Sequence, residues 1–183
     1  MDRTANEKNK IIAAGHIMPQ APEVEKAVLG ALMIDKDAYM EVCDKLIPES
    51  FYEPRNQMVY EAIRNLSMEE SPVDVLTVTD KLGKMGKLEE VGGPEYIVDL
   101  SSKVATSANI EYHSNIVAEK YLARQMIHYV SVVGKKVFDE TYDIKDIVDE
   151  AESTLFELSQ KNMKKDYSVL SPIVDKALEL VKI

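Results

Sequence analysis

Every proline of this chain except Pro172, and every glycine except Gly134, lies at or before residue 94. Proline fixes φ and removes a backbone donor, while glycine admits left-handed turns, so the two residues cut a chain into short elements. Their asymmetry predicts two unlike parts: a head of short helices joined by tight turns, then long helices that rarely turn. The expected fold class is all-α. Such a shape suits a part that holds other molecules together better than a pocket enzyme.

The totals narrow this further. With 183 residues, the chain suits one ordinary domain or a small domain with an extension. Hydrophobic residues make up 45%, but there is no Trp and only 7% is aromatic, so the core must be aliphatic with nine Met as adaptable filler. Apolar runs are too short to span a bilayer, and the N-terminus lacks the apolar stretch of a secretory signal. Cys43 stands alone, which excludes an internal disulfide or a cysteine metal cluster. A cytoplasmic location is expected, with no membrane partner.

The net charge is −10, whereas proteins that grip nucleic acid with their own surface present basic patches. The acid is concentrated: Asp139, Glu140, Asp143, Asp146, Asp149, Glu150, Glu152 and Glu157 face only Lys145 over that stretch. This reads as a solvated helix face.

Residues 1–20 are polar and expected to fray. Pro22 starts a helix over 22–34, with Glu23 and Glu25 in the turn where the helix dipole favours carboxylates. Gly30 within it suggests the close approach of a neighbouring helix. Asp35 or Asp37 is placed to cap a second helix that turns Tyr39, Val42, Cys43 and Leu46 inward, which makes Cys43 a small buried hydrophobe. A third helix after Pro54 buries Met58, Val59, Ala62, Ile63 and Leu66. Asp74 caps a short helix holding Leu76, Val78 and Leu82, and Gly92-Gly93-Pro94 turns into another around Tyr96, Ile97 and Leu100.

From Ser107 one helix is expected to run to about Tyr142 with two apolar rows. One row is Leu122, Met126, Tyr129, Val133 and Val137; the other is Ala123, Ile127, Val130 and Phe138. Two rows imply two neighbours. A second helix over about 145–164, with Ile147, Ala151, Leu155 and Leu158, completes an antiparallel hairpin and covers one row. A second copy of the chain is the economical cover for the other, and the head folding back over it is the competing arrangement. A further helix begins at Ser171-Pro172 and has no stop signal before Ile183.

Catalytic groups are scarce. Gly86-Lys87 and Gly134-Lys135 lack the earlier glycine and the Ser or Thr of a phosphate-cradling loop. His16, His113 and His128 share no metal-type spacing, and none pairs with Cys43. Glu69-Glu70 and Glu89-Glu90 read as solvated pairs near turns. No catalytic, cofactor or metal residues are expected in this chain.

Five strings, in order, carry a resemblance: PEVEKAVLGALMID (22–35), FYEPRNQMVY (51–60), PVDVLTVT (72–79), LEEVGGPEYIVDL (88–100) and SANIEYHSNIV (107–117). Together they resemble the N-terminal domain of bacterial replicative DNA helicases of the DnaB family, over roughly 21–183. The resemblance implies a flexible tail (1–20), a globular helical head (21–105), a dimerising hairpin (106–165) and a linker (166–183) to a RecA-like ATPase domain absent here. In that family the hairpins pair, so the N-terminal tier of a hexameric ring is a trimer of dimers. Primase docks on this tier, and a helicase loader is a further partner. ATP, Mg and single-stranded DNA are handled mainly by the motor domain.

Carried to this sequence, the implied primase contacts are Glu23, Tyr96, Ile127 and Val133, of which the last three could equally serve packing. The expected dimer residues are Leu122, Met126, Tyr129, Val130 and Val137 with Ile147, Ala151, Leu155 and Leu158. A free-standing helical adaptor that dimerises by the same hairpin, without a motor, is the alternative. A Walker A motif encoded downstream of Ile183 separates the two.

Overall fold

The structure is a computed structural model and describes residues 17–163. His16, the earlier part of the tail and the linker helix expected from 166 onward lie outside the described residues. Among the described residues the structure is all-helical. They fall into two compact units that divide between Met126 and Ile127.

The first unit is built from short helices whose starts carry recognisable chemistry. Helix α1 (Pro22–Ile34) begins on a proline at its first position, where no backbone donor is lost. Helix α2 (Ala38–Val42) is short, and a 3-10 turn at Pro48–Ser50 leads to α3 (Pro54–Met68). Asp74 caps α4 (Val75–Lys84) by accepting the Leu76 and Thr77 N–H groups at 2.8 and 2.9 Å, while Thr77 Oγ1 accepts the Asp74 N–H. The single turn α5 (Leu88–Val91) ends at Gly92, and Gly92 and Gly93 both take positive φ (109° and 73°) before α6 (Gly93–Ser102). That reversal needs residues without a Cβ.

Helix α1 packs on α6 and α3, and α3 packs in turn on α4 and α5. Gly30 sits where α1 meets α6: a Cβ there would fall on the Leu100 carbonyl oxygen and within 2.7 Å of Val104 Cγ2. The core holds Leu29, Leu32, Phe51, Tyr60, Ile63, Leu82, Ile97 and Leu100, each side chain contributing about 1.5–3 kcal/mol by leaving water. Phe51 and Tyr60 rings lie 4.9 Å apart, and the Tyr60 hydroxyl donates to the Leu46 carbonyl at 3.0 Å. Helix α7 (Ile110–Val137) joins this core through Ile110, Ser114 and Val117.

In the second unit, the end of α7 turns through Asp139, whose carboxylate accepts the Thr141 N–H and hydroxyl at 3.1 and 2.7 Å. Asp143 accepts the Lys145 N–H at 2.7 Å and opens α8 (Ile144–Met163). Lys136 in the last turn of α7 bonds the Glu150 carboxylate at 2.7 Å, tying the two helices together. Ile147, 5% exposed, is the only buried hydrophobic residue among the described residues of this unit.

Three expectations are corrected. Cys43 is exposed, because the buried stripe here runs through Ala38, Val42 and Leu46 at four-residue spacing and Cys43 lies beside it. Helix α7 ends at Val137, short of Tyr142, since Asp139 draws the following backbone into a turn. In α4, Leu76 is exposed while Val78 and Leu82 are buried. Of the two candidate caps before α2, Asp35 accepts the Asp37 N–H at 3.0 Å, and the Asp37 side chain makes no cap. In the tail, Pro19 is held rather than frayed, its carbonyl accepting from Arg124 at 2.9 Å.

Candidate functional site

The start of α1, the turn before α3 and the start of α6 converge on one buried polar chain. Glu25, 1% exposed, accepts the backbone N–H groups of Tyr52 and Glu53 at 2.7 and 3.3 Å and the Asn56 amide at 2.9 Å. Asn56 in turn accepts the Tyr96 hydroxyl at 2.5 Å. A carboxylate inside a core is costly unless its lone pairs are used, and here three donors use them. The chain locks the Phe51–Asn56 turn between α1 and α6.

Tyr96, a candidate contact residue from the sequence, therefore has a buried hydroxyl and is 9% exposed overall. Burial pushes its phenol up to about 12, with the nearby Arg55 guanidinium pulling the other way. That guanidinium lies 4.4 Å from the Tyr96 ring centroid. Glu23, in the same first turn of α1 as Glu25, is exposed, and its hydrogen bond from Lys26 at 2.6 Å holds its carboxyl below the usual range. Glu23 and Tyr96 stand on α1 and α6, two helices that pack on one another.

Arg124 is a second fixed cation. It donates to the Pro19 and Ser50 carbonyls at 2.9 and 2.7 Å, with the Tyr52 and Tyr121 rings each 5.6 Å away. Burial lowers its affinity for the proton, and Glu25 opposes that. Asn56, Arg55 and Arg124 carry no expectation from the sequence, and Glu25 only that of a carboxylate at a helix start. Arg124 had a signal, being a cation flanked by both apolar rows of its helix; the partners of Glu25 lie far along the chain.

In the second unit, Ile127 and Val133 are partly covered. Of the expected hairpin residues, Leu122, Met126, Tyr129, Ala151 and Leu158 are partly covered, and Ile147 is buried within its own unit. Val130, Val137 and Leu155 are exposed, Val130 to 61%. Phe138 and Phe156 add large exposed rings, at 90% and 64%. The carboxylates of α8 are exposed, as expected for a solvated face. Among the described residues no group of three or more His, Cys, Asp or Glu side chains is placed to hold a metal ion, and no helix is long and apolar enough to cross a membrane.

Residues 17–119 match the family described as the DnaB-like helicase N-terminal domain. The chain is 39% identical over 166 residues to the replicative DNA helicase DnaB of Rhodothermus marinus, covering 91% of this chain and 18% of that protein. It is 38% identical over 143 residues to the replicative DNA helicase DnaC of Bacillus subtilis, covering 78% of this chain and 32% of that one. The chain thus spans a third or less of these relatives. The crystal structure of the N-terminal domain of DnaB helicase from Mycobacterium tuberculosis superposes with a TM-score of 0.72 at 36% identity, covering 77% of this chain and 99% of that one. A DnaB-like replicative helicase, described with its interactions with primase, shares the fold with a TM-score of 0.62 at 23% identity, covering 81% of this chain and 34% of that one.

Proposed function

The chain belongs to the DnaB-like helicase N-terminal domain family, and from that premise we propose that it is the oligomerisation and primase-docking part of a replicative DNA helicase. The observation that carries the assembly half is the exposed apolar surface of the second unit, where Val130, Val137, Phe138 and Leu155 lie open and Ile147 is the one buried hydrophobic residue among those described. Two copies meeting through this surface would remove it from water, and the set Leu122, Met126, Tyr129, Val130, Val137, Ile147, Ala151, Leu155 and Leu158 is our candidate dimer region. Paired dimers would then form the N-terminal tier of a hexamer. The domain limits we favour are a tail to 20, a head over 21–105, a hairpin over 106–165 and a linker from 166.

Primase is the proposed partner of the tier, through Glu23 on the head and Ile127 and Val133 on the hairpin helix. Tyr96, with its hydroxyl on Asn56, would act there by shaping the surface. A helicase loader is a further proposed partner. The unwinding activity would belong to an ATPase domain outside this chain, in the cytoplasm. The residues here do not fit ATP: Gly86 lies just past the end of α4, and Gly134 lies within α7, where backbone donors are committed to the helix. Sedimentation of the chain with the primase of the same cell tests the reading. A primase-bearing complex supports it, and two independent boundaries at micromolar concentrations contradict it.

A further inference from the structure

Beside Tyr96 the head carries a cation that its own fold leaves without a hydrogen-bond partner. Arg55 stands in the first turn of α3, one residue before Asn56. Its guanidinium lies on the Tyr96 ring, 4.4 Å from the centroid. The ring is fixed from below, since its hydroxyl bonds Asn56 and Asn56 bonds Glu25. Arg55 Nε is shielded from solvent and finds no hydrogen-bond partner among the described residues. The Glu53 carboxylate is 3.9 Å away, beyond hydrogen-bond reach. The rest of the side chain is open, with 42% of its surface exposed. Lys26 and Lys103, by contrast, are committed to Glu23 and Asp99 at 2.6 and 2.7 Å.

We propose that Arg55 is a docking residue that receives a side-chain carboxylate of the protein partner in the fork of its guanidinium. The inference rests on the primase-docking reading above and names a contact within it. A guanidinium is planar and presents paired donors that match a carboxylate two to two. Stacking on a fixed ring holds that plane before the partner arrives, so little side-chain freedom is lost on binding. Charge selects the partner class. Glu53 lies 3.9 Å from the guanidinium and the chain carries −10, so a nucleic-acid backbone, with its many phosphates, meets far more repulsion than a single carboxylate on a protein.

The test titrates the chain with the primase of the same cell, comparing wild type, Arg55→Gln, Arg55→Lys and Tyr96→Phe, with thermal melting and sedimentation of each variant alone. Arg55→Gln is expected to weaken binding roughly tenfold or more, the range of a contact that dominates an interface. Arg55→Lys, which keeps the charge and loses the fork, should restore only part of the affinity. Tyr96→Phe keeps the ring and should bind more tightly than Arg55→Gln. Melting and mass should stay as in wild type for both Arg55 variants. Equal affinity of wild type and Arg55→Gln overturns this inference and leaves the docking reading standing, whereas a wild-type chain that does not bind primase overturns both. A parallel titration with a single-stranded oligonucleotide separates the ligand classes: wild-type binding that Arg55→Gln abolishes assigns the residue to phosphate and overturns the carboxylate assignment.

Discussion

Gly30 and Gly134 both lie inside helices, yet their surroundings differ as the two units do. A Cβ on Gly30 would fall on the Leu100 carbonyl and on Val104; a Cβ on Gly134 would meet nothing within 4 Å. In the first unit a missing side chain lets two helices of the same chain touch. In the second the same absence is open space. The first unit closes its own core and buries even a carboxylate, while the second leaves Val130, Val137, Phe138 and Phe156 exposed. One unit closes a core of its own, and the other leaves large apolar side chains open.

The largest expected effect tests whether the first unit depends on its buried polar chain. Glu25→Ala removes the acceptor for two backbone N–H groups and the Asn56 amide, and should cost about 3 kcal/mol or more, since each buried donor left unpaired costs roughly 1–3 kcal/mol. Urea melts read this directly. An unchanged midpoint would mean that the turn at Phe51–Asn56 holds without Glu25. Next comes Gly30→Val, which drives α1 off α6 and should lose about 2 kcal/mol through overpacking. Its counterpart, Gly134→Ala, should gain roughly 0.5–1 kcal/mol, because alanine suits an open helix position better than glycine. A loss at Gly134 would sharpen the comparison differently, by revealing a close neighbour from another copy.

These pairs also show what the sequence could disclose. Helix starts were legible because Pro22, Pro54, Asp74 and Pro94 stand at them, and local chemistry decides a helix start. The close approach at Gly30 was legible for the same reason, as an interruption in an otherwise regular apolar helix. Glu25 was not. Its partners Tyr52 and Asn56 are 27 and 31 positions away, and a carboxylate in a first helical turn already has a sufficient local explanation in the helix dipole. Cys43 was misplaced because a helix this short buries a single stripe, Ala38, Val42 and Leu46, and its neighbour falls outside that stripe. The end of α7 was overrun because neither proline nor glycine marks it; the cues were Lys135 and Lys136 in the last turn and the Asp139–Thr141 bond. Of the contact region, the existence of an exposed apolar face was readable from periodicity. The stacking of Arg55 on Tyr96 was not, because it depends on how α3 and α6 meet.

The smallest effect concerns Asp35, whose carboxylate joins α1 to the segment before α7 through the Ser107 hydroxyl and also accepts the Asp37 N–H. These hydrogen bonds hold its folded value below the ordinary aspartate value of 3.8. A depressed carboxyl contributes stability that is complete above the unfolded value and is lost as pH falls through the folded one. Asp35→Asn should therefore lower stability slightly at neutral pH and flatten the acid limb below pH 3.8. Melting curves between neutral pH and the acid limb measure both. An acid limb that stays as steep in the variant would assign the acid sensitivity elsewhere, with Asp74, also depressed by its cap hydrogen bonds, as the next group to replace.

The claim that the first unit is self-sufficient while the second is a surface for another copy meets its most direct test in sedimentation equilibrium of wild type and Val130→Glu across a range of concentrations. Val130 is 61% exposed, so a carboxylate there costs the isolated chain little but must be desolvated when two copies meet. The account predicts a wild type of twice the chain mass, and a variant of single mass whose thermal melting retains the cooperative unfolding of the first unit. A variant that keeps the wild-type mass, or a wild type that stays monomeric throughout, contradicts it.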